Sequence, residues 1–150
     1  MPPTIHASAV LAGAHGVLIR GGTGAGKSRL VQSLLHAAEA GLLPFARLVA
    51  DDRVHIEAHH GRLIARTPQP LAGLLEVRGI GISRMPWEQA AVVKLVVDLR
   101  AESGARLPEP DEASVTILGI NLPRVICGTG QDPLPMVLTA LAVSAGSSRL

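Results

Sequence analysis

Apolar and polar residues follow one another along this chain in short blocks, a pattern typical of a domain built mainly from β-strands. Continuous apolar runs at 6–12, 15–19 and 45–50 each have the length of a buried strand. Alternation at 54–58 and 62–66 predicts a β-hairpin with one face in solvent. The first half of the chain therefore predicts strands that share an aliphatic core.

The second half of the chain continues the same pattern. The β-branched run at 90–99 predicts a central strand, and two further strands are expected at 114–118 and 122–127. A closing helix is expected at 134–144. Together these blocks indicate one α/β domain over residues 1–150, large enough to bury a core of its own.

A glycine-rich stretch lies between the strand at 15–19 and apolar residues at helical spacing from 30 to 38. It reads G-x-x-x-x-G-K-[ST], the pattern of a phosphate-binding loop, and a strand before it and a helix after it are the context that this pattern requires. The candidate cofactor-binding residues are Gly21, Gly22, Thr23, Gly24, Ala25, Gly26, Lys27 and Ser28.

The residue types in this loop fit phosphate chemistry. Glycines let successive backbone N–H groups point at an anion where the helix begins. Lys27 would neutralise the β- and γ-phosphates, and the Ser28 hydroxyl would bind Mg²⁺. The alternative is a glycine-rich turn that binds nothing, and the flanking strand and helix favour the phosphate loop over it.

Two adjacent carboxylates, Asp51 and Asp52, follow the strand at 45–50. A strand that delivers a carboxylate beside a phosphate loop can bind Mg²⁺ or orient a nucleophile in phosphoryl transfer. The two carboxylates could divide those tasks, because neighbouring residues of a strand point in different directions. The alternative is a polar cap on a strand-to-turn junction, for which Asp is common.

Other polar residues have weaker indications of a function. His6 begins the first apolar run, where a lone histidine is more often structural than catalytic. His55, His59 and His60 lie on the expected hairpin, and no cysteine or regularly spaced carboxylate completes a metal site with them. Arg106 lies in a polar loop, and the composition of that loop alone indicates that Arg106 is a surface residue.

Glu76 and Arg78 stand two residues apart inside the apolar segment 74–82. Burying such a pair without partners would be costly, so phosphate, a metal or an ion pair between the two must satisfy them. The sequence leaves these alternatives open.

The composition excludes several classes of protein. With 47% hydrophobic and 17% charged residues, the chain is globular rather than disordered. A net charge of +2 and only two aromatic residues, Phe45 and Trp87, argue against a nucleic-acid-binding module. Cys127 is alone, which indicates a buried thiol rather than a disulfide. No apolar run is long enough to span a membrane, and we expect a cytoplasmic protein.

His6, the phosphate loop, the run 48–52 and the segment 74–82 occur in an order and at spacings that resemble the catalytic domain of bacterial HPr kinase/phosphorylase. The resemblance is clear from about residue 4 to residue 99, and the segment 74–82 is its most specific part. It implies a phosphate-loop NTP-binding fold like that of phosphoenolpyruvate carboxykinase, with a mainly β core and few helices.

The resemblance also implies an activity. Members of that family use ATP and Mg²⁺ to phosphorylate a serine of HPr, a small phosphocarrier protein of the sugar phosphotransferase system. Many members also remove that phosphate with inorganic phosphate. The expected partner is therefore HPr or a paralogue of it, within a homo-oligomeric enzyme.

The family's functional residues carry over by position. Lys27 would neutralise the transferring phosphate, and Ser28 with Glu76 would hold Mg²⁺. Asp51 would match the acid/base residue that takes the proton from the serine hydroxyl, and Asp52 would assist at the metal.

Two further positions complete the implied site. His6 would match an active-site histidine, which reverses the structural interpretation given above. Arg106 would match an arginine that follows the central strand.

The chain also departs from the family pattern. We expect no N-terminal sensor domain, and the segment 128–133 contains no basic residue where the family has a basic segment linked to dephosphorylation. Kinase activity is therefore expected more than phosphorylase activity. Two alternatives stay open: an ATP-binding regulatory module with reduced catalysis, and a kinase for a small molecule.

Overall fold

The computed structural model describes residues 3–103 and 109–144, which form eleven strands, two α-helices and two short 3-10 turns. The strands are β1 (Thr4–Ile5), β2 (Ala7–Ala12), β3 (His15–Gly21), β4 (Ala46–Ala50), β5 (Val54–His59), β6 (Arg62–Arg66), β7 (Leu74–Val77), β8 (Gly81–Arg84), β9 (Ala90–Ser103), β10 (Ser114–Ile117) and β11 (Ile120–Thr129). The helices are α1 (Lys27–Glu39) and α2 (Pro133–Ser144), and the 3-10 turns are Gln69–Leu71 and Pro110–Ala113. The α/β fold class with a mainly β core is confirmed.

The long strand β9 organises the main sheet of nine strands. One of its edges pairs in parallel with β3. Its other edge pairs first with β6, antiparallel, through Val93, and then with β11, parallel, from Val96 onward. The predicted central strand at 90–99 is thus confirmed, and it extends four residues further than its apolar run.

The two faces of the sheet bury two aliphatic clusters. On one face α1 and α2 pack on β2, β3, β9 and β11, with Val31, Leu34 and Val137 fully buried. On the other face β5 and β6 pack on β2 and β4, although β3 and β9 separate these strands in the sheet. The sheet therefore curls over its own second face, which explains how a chain with so few helices buries both sides.

Strand directions bring several chain segments to one edge of the sheet. Both β3 and β4 run antiparallel to β2, which lies between them, so their carboxyl ends meet at the same edge. The amino end of β2 lies there too. This edge gathers the loop after β3, the carboxylates after β4 and the residue before β2.

The segment 74–82 is not a continuous strand. Strands β7 and β8 form a separate two-stranded hairpin that turns at residues 78–80. Leu75 and Val77 on its inner face reach the helix-side cluster and anchor it there. Neither helix in residues 3–103 and 109–144 is long and apolar enough to cross a membrane.

Candidate active site

The phosphate loop connects the carboxyl end of β3 to the first turn of α1, as the sequence predicts. Gly24 and Gly26 have φ of 79° and 103°, a left-handed conformation that side chains other than glycine rarely adopt. No atom lies within 4 Å of a Cβ built on either of them, so the loop is open on that side. Open space at the amino end of a helix is what a phosphate group requires.

Lys27 is almost completely buried, with 6% of its surface exposed. Its ammonium group donates hydrogen bonds to the carbonyl oxygens of Gly21, at 2.9 Å, and Gly22, at 3.1 Å. An ammonium group carries three N–H donors, so these two bonds hold the charge at the loop and leave one donor for an anion. The position of Lys27 therefore fits its expected role.

Asp51 accepts three hydrogen bonds from different parts of the chain. Ser28 Oγ donates to Oδ1 at 2.7 Å, and Ser8 Oγ donates to the same oxygen at 2.9 Å. The backbone N–H of Glu76 donates to Oδ2 at 3.2 Å. These residues form what we name the Asp51 cluster: Ser8, Ser28, Asp51 and the backbone of Glu76. All three donors are uncharged, so the cluster keeps its negative charge beside the phosphate loop.

Asp52 points in another direction. Its backbone has φ of 68°, so the chain turns sharply directly after Asp51. Its carboxylate is 59% exposed and contacts His6 Nε2. Its backbone N–H donates to Ser8 Oγ at 3.0 Å. The structure thus brings His6 to Asp52, and Ser28 to Asp51.

Ser8 is the residue that sequence reasoning missed. It is fully buried within β2, donates to the side chain of Asp51 and accepts from the backbone of Asp52. A hydroxyl in this position fixes the two carboxylates relative to each other. The available signal was a single polar residue in the middle of the apolar run at 6–12.

Glu76 lies on the outer face of the β7–β8 hairpin, opposite Ile82. Its side chain is exposed and lines a cavity of about 160 Å³ at this edge of the sheet. The cavity is lined by Asp51, Asp52, Arg53, Leu71, Leu74, Glu76 and Ile82. The three carboxylates expected from the sequence therefore face one common space.

The other residues that the sequence analysis considered lie away from this cavity, lie exposed on a hairpin, or fall outside the described part of the chain. The expectation that Glu76 and Arg78 are buried is wrong, because both side chains are exposed on the hairpin. The group that Glu76 binds stays a prediction. His59 and His60 lie exposed on the predicted β5–β6 hairpin, with their rings 4.1 Å apart. Arg106 lies outside the described residues.

A second carboxylate, Asp98, lies in β9 on the face opposite the helices. Arg20, directly before the phosphate loop, donates to its two oxygens at 2.7 and 2.8 Å, and Arg124 on β11 donates at 3.2 Å. We name these three residues the Asp98 cluster. Burial by itself raises the pKa of Asp98, but the hydrogen bonds and charges of the two arginines outweigh burial and lower that pKa. The pKa of the Arg20 guanidinium is raised chiefly by its hydrogen bond to Asp98.

The mixed sheet, the two helices on one face and the glycine loop at the sheet edge define a kinase-like α/β domain. The chain belongs to the HPr Serine kinase C-terminal domain family, whose family model matches residues 3–127. The resemblance inferred from the sequence is therefore confirmed, over a longer part of the chain than the residues that first indicated it.

Curated relatives share this family. The chain is 42% identical over 71 residues to an HPr kinase/phosphorylase from Clostridium tetani, covering 47% of this chain and 21% of that protein. It is 39% identical over 84 residues to an HPr kinase/phosphorylase from Clostridium perfringens strain SM101, covering 55% of this chain and 25% of that protein. The matched segments thus span between a fifth and a quarter of the curated relatives' length.

A solved structure has the same fold along nearly the whole chain. The HPr(Ser) kinase/phosphatase from Coxiella burnetii matches with a TM-score of 0.75 and 24% identity, covering 95% of each chain. At this level of identity the comparison establishes the fold. The chemistry has to be argued from the residues of this chain.

Proposed function

We propose that this domain is an ATP- and Mg²⁺-dependent protein kinase that transfers the γ-phosphoryl group to a serine of HPr or of a paralogue. The observation that carries the proposal is the division of Asp51 and Asp52 beside the phosphate loop. One carboxylate faces Ser28, where a nucleotide-bound metal is expected, and the other is exposed and contacts a histidine. Family membership and the names of the curated relatives support HPr as the acceptor.

The residues around the loop fit a nucleotide with its Mg²⁺. Mg²⁺ prefers oxygen ligands and is usually held by one or two carboxylates together with substrate phosphates. The Ser28 hydroxyl and Asp51 lie in contact, and the exposed Glu76 carboxylate faces the same cavity. These side chains would hold the ion, which neutralises charge on the phosphates when bound. Lys27 would add its own positive charge at the loop.

Asp52 is the better candidate for the proton acceptor. The resemblance to the family implied Asp51 for this role and Asp52 for the metal, and the contacts favour the opposite assignment. The carboxylate of Asp51 is occupied by three donors, whereas that of Asp52 is open to solvent on one side and oriented by His6 on the other. A general base must be able to reach the incoming hydroxyl, and exposure gives Asp52 that access.

The proposed reaction is an in-line displacement. The serine hydroxyl transfers its proton to a carboxylate oxygen of Asp52, and the serine oxygen forms the new bond to the γ-phosphorus. The bond from that phosphorus to the β–γ bridging oxygen breaks, and ADP leaves. Catalysis comes mainly from positioning and charge neutralisation, because phosphoryl transfer needs little covalent chemistry from the protein.

The regulatory-module alternative requires only nucleotide binding. Lys27 and Ser28 would serve it, but binding gives no reason for an exposed carboxylate held by a histidine at the entrance of the site. The contact between Asp52 and His6 therefore favours the kinase. The reverse, phosphate-removing reaction stays a prediction with no contact in the described residues that favours it.

The test is transfer of labelled γ-phosphate from Mg·ATP to purified HPr. We expect labelled serine with the wild type, and at least about a hundredfold slower transfer with Asp52→Asn at unchanged ATP affinity. Lys27→Ala should lose both ATP affinity and transfer. Asp111→Asn, which changes an exposed carboxylate in the 3-10 turn Pro110–Ala113, is the matched control and should transfer at the wild-type rate.

Two results would contradict the proposal. If the wild type binds ATP and labels no serine of HPr, the kinase function fails for this acceptor. If Asp52→Asn transfers at the wild-type rate while Asp51→Asn does not, the base is Asp51, as the resemblance to the family implied.

A further inference from the structure

An exposed apolar surface lies beside the carboxylates of the candidate site. Ile80 is 78% exposed and Ile82 is 75% exposed, both on the β7–β8 hairpin, and Leu71 nearby is also exposed. We name this surface the hairpin patch: Leu71, Ile80 and Ile82. Large aliphatic side chains at such exposure, next to a polar site, mark places where another molecule binds.

The hairpin patch is continuous with the candidate site. Along β7 and β8, Glu76 pairs with Ile82, so both side chains emerge from the same outer face of the hairpin. Ile82 and Leu71 line the cavity that also contains Asp51 and Asp52. A molecule that presents a hydroxyl to Asp52 in this cavity would therefore lie beside Ile82 and Leu71.

The packing of the hairpin explains why its outer side chains are exposed. Its inner face is anchored in the helix-side core by Leu75 and Val77, which are 0% and 5% exposed. The Met85 backbone N–H also closes the base of the hairpin with a 2.8 Å hydrogen bond to Gly73 O. Because the inner face is fixed in the core, Ile82 on the outer face is held toward solvent, and Ile80 is exposed in the turn between the two strands.

Three arginines lie at the patch, beside the carboxylates of the cavity. Arg78 lies in the hairpin turn, Arg84 ends β8 on the outer face, and Arg53 lines the cavity. All three are exposed, and within residues 3–103 and 109–144 none of their guanidinium groups has an ion-pair or hydrogen-bond partner. By contrast, Arg20 and Arg124 are both paired with Asp98. Unpaired arginines around an apolar centre favour a partner with acidic groups around an apolar side chain.

We propose that the hairpin patch is the docking surface for the acceptor protein, which rests on the proposed kinase function. The occupant is a segment of that protein with an apolar side chain next to its acceptor serine and acidic side chains around it. The isoleucines would bury the apolar side chain, and Arg53, Arg78 and Arg84 would pair with the acidic ones. Docking there places the hydroxyl at the cavity where Asp52 is exposed.

The experiment separates docking from chemistry through KM and kcat. Transfer to HPr is measured for the wild type and for Ile80→Ser/Ile82→Ser, together with ATP affinity and thermal stability. We expect KM for HPr to rise about tenfold or more, as for central interface residues, while ATP affinity and Tm stay unchanged. The matched control is Leu42→Ser, which changes a 63% exposed leucine between α1 and β4 at the opposite edge of the sheet and should leave KM unchanged.

A second pair of variants tests the charges. Arg84→Glu should lower kcat/KM for HPr about tenfold at low salt, and the difference from the wild type should shrink as salt is added. Arg62→Glu, at the start of β6 and away from the carboxylate edge, reverses an exposed arginine and should have no such effect.

The outcomes distinguish the two proposals. Wild-type transfer to HPr with an unchanged KM in Ile80→Ser/Ile82→Ser overturns the docking surface and leaves the kinase function standing. A rise in the dissociation constant for ATP instead assigns the patch to the nucleotide, and a change of molar mass in sedimentation assigns it to a second copy of the chain. No transfer by the wild type contradicts the kinase function, and with it the docking proposal that rests on it.

Discussion

Two carboxylates, Asp51 directly after β4 and Asp98 within β9, each accept three hydrogen bonds, but their partners differ in charge. Asp98 is bound by two guanidinium groups, which compensate its charge within the protein. Asp51 is bound by two hydroxyls and one backbone N–H, which fix its orientation but do not compensate its negative charge. The number of hydrogen bonds is therefore a poor guide to function, and the charge of the partners is a better one.

The physical reason lies in the cost of burying charge. A buried carboxylate without a cation is unfavourable unless it is hydrogen-bonded and keeps some contact with solvent or a ligand. In the Asp98 cluster, two arginines of the protein itself supply the hydrogen bonds and the positive charge that the buried carboxylate requires. In the Asp51 cluster the three donors are uncharged, and the partly buried carboxylate faces a cavity where a metal ion would supply the positive charge.

The largest difference between the two clusters should appear in activity. Asp51→Asn keeps the size of the side chain but removes the negative charge, so we expect transfer to fall about 10²–10³-fold, with a higher Mg²⁺ requirement. Initial rates at several Mg²⁺ concentrations measure both effects. Asp98→Asn, the matched change in the other cluster, should keep its Mg²⁺ dependence, and an equal loss in both variants would remove the distinction.

Stability should depend more on Asp98 than on Asp51, the reverse of the order expected for activity. Asp98→Asn leaves Arg20 and Arg124 without a carboxylate, and we expect the free energy of unfolding to drop by about 2–3 kcal/mol. The estimate is below the usual range for a buried ion pair because the Arg20 side chain remains one-third exposed to solvent. Urea denaturation measures the drop. A larger loss in Asp51→Asn than in Asp98→Asn would contradict the comparison.

A change at Ser8 tests whether the uncharged partners of Asp51 are needed to orient its carboxylate. Ser8→Ala removes a buried donor to Asp51 and a buried acceptor for the Asp52 backbone, so we expect about 1–2 kcal/mol of lost stability and a measurable loss of transfer. Ser33→Ala is the control, because the Ser33 hydroxyl donates to the carbonyl oxygen of Arg29 within α1, away from the carboxylates. Transfer by Ser8→Ala at the wild-type rate would show that Asp51 needs no such positioning.

The smallest expected effect is a difference between the wild type and Asp98→Asn in how their stability changes at acidic pH. The pKa of Asp98 is lower in the folded protein than in the unfolded chain, where it is about 3.9. Its ionised form therefore stabilises the fold above that pH, and the contribution is lost as pH falls through the folded-state pKa. The stability advantage of the wild type over Asp98→Asn should shrink as pH is lowered from neutral to below 4. Thermal unfolding at a series of pH values measures it, and a constant advantage would assign the stabilisation to packing.

Much of the fold followed from the sequence alone, because strand and helix patterns are local. The phosphate loop, the helix after it, the β5–β6 hairpin and the closing helix all lie where the apolar spacing predicts them. The segment 74–82 was harder, since its glycines permit a tight turn that an apolar run does not reveal. Leu118 shows the same limit, because it adopts a positive φ of 49° in the turn between β10 and β11 despite its side chain.

The sequence by itself determined which residue types the candidate site contains, because a phosphate loop followed by paired carboxylates places donors and charges at fixed spacing. Only the tertiary structure decided which partners each of those carboxylates contacts. Four residues that are far apart in the chain meet at this site: Ser8, Ser28, Asp51 and Glu76. Strand pairing brings β2, β3 and β4 to one edge of the sheet, and packing of the β7–β8 hairpin on the helix-side core adds Glu76. The left-handed turn at Asp52 then directs the second carboxylate to His6, and no local pattern of residues encodes that direction.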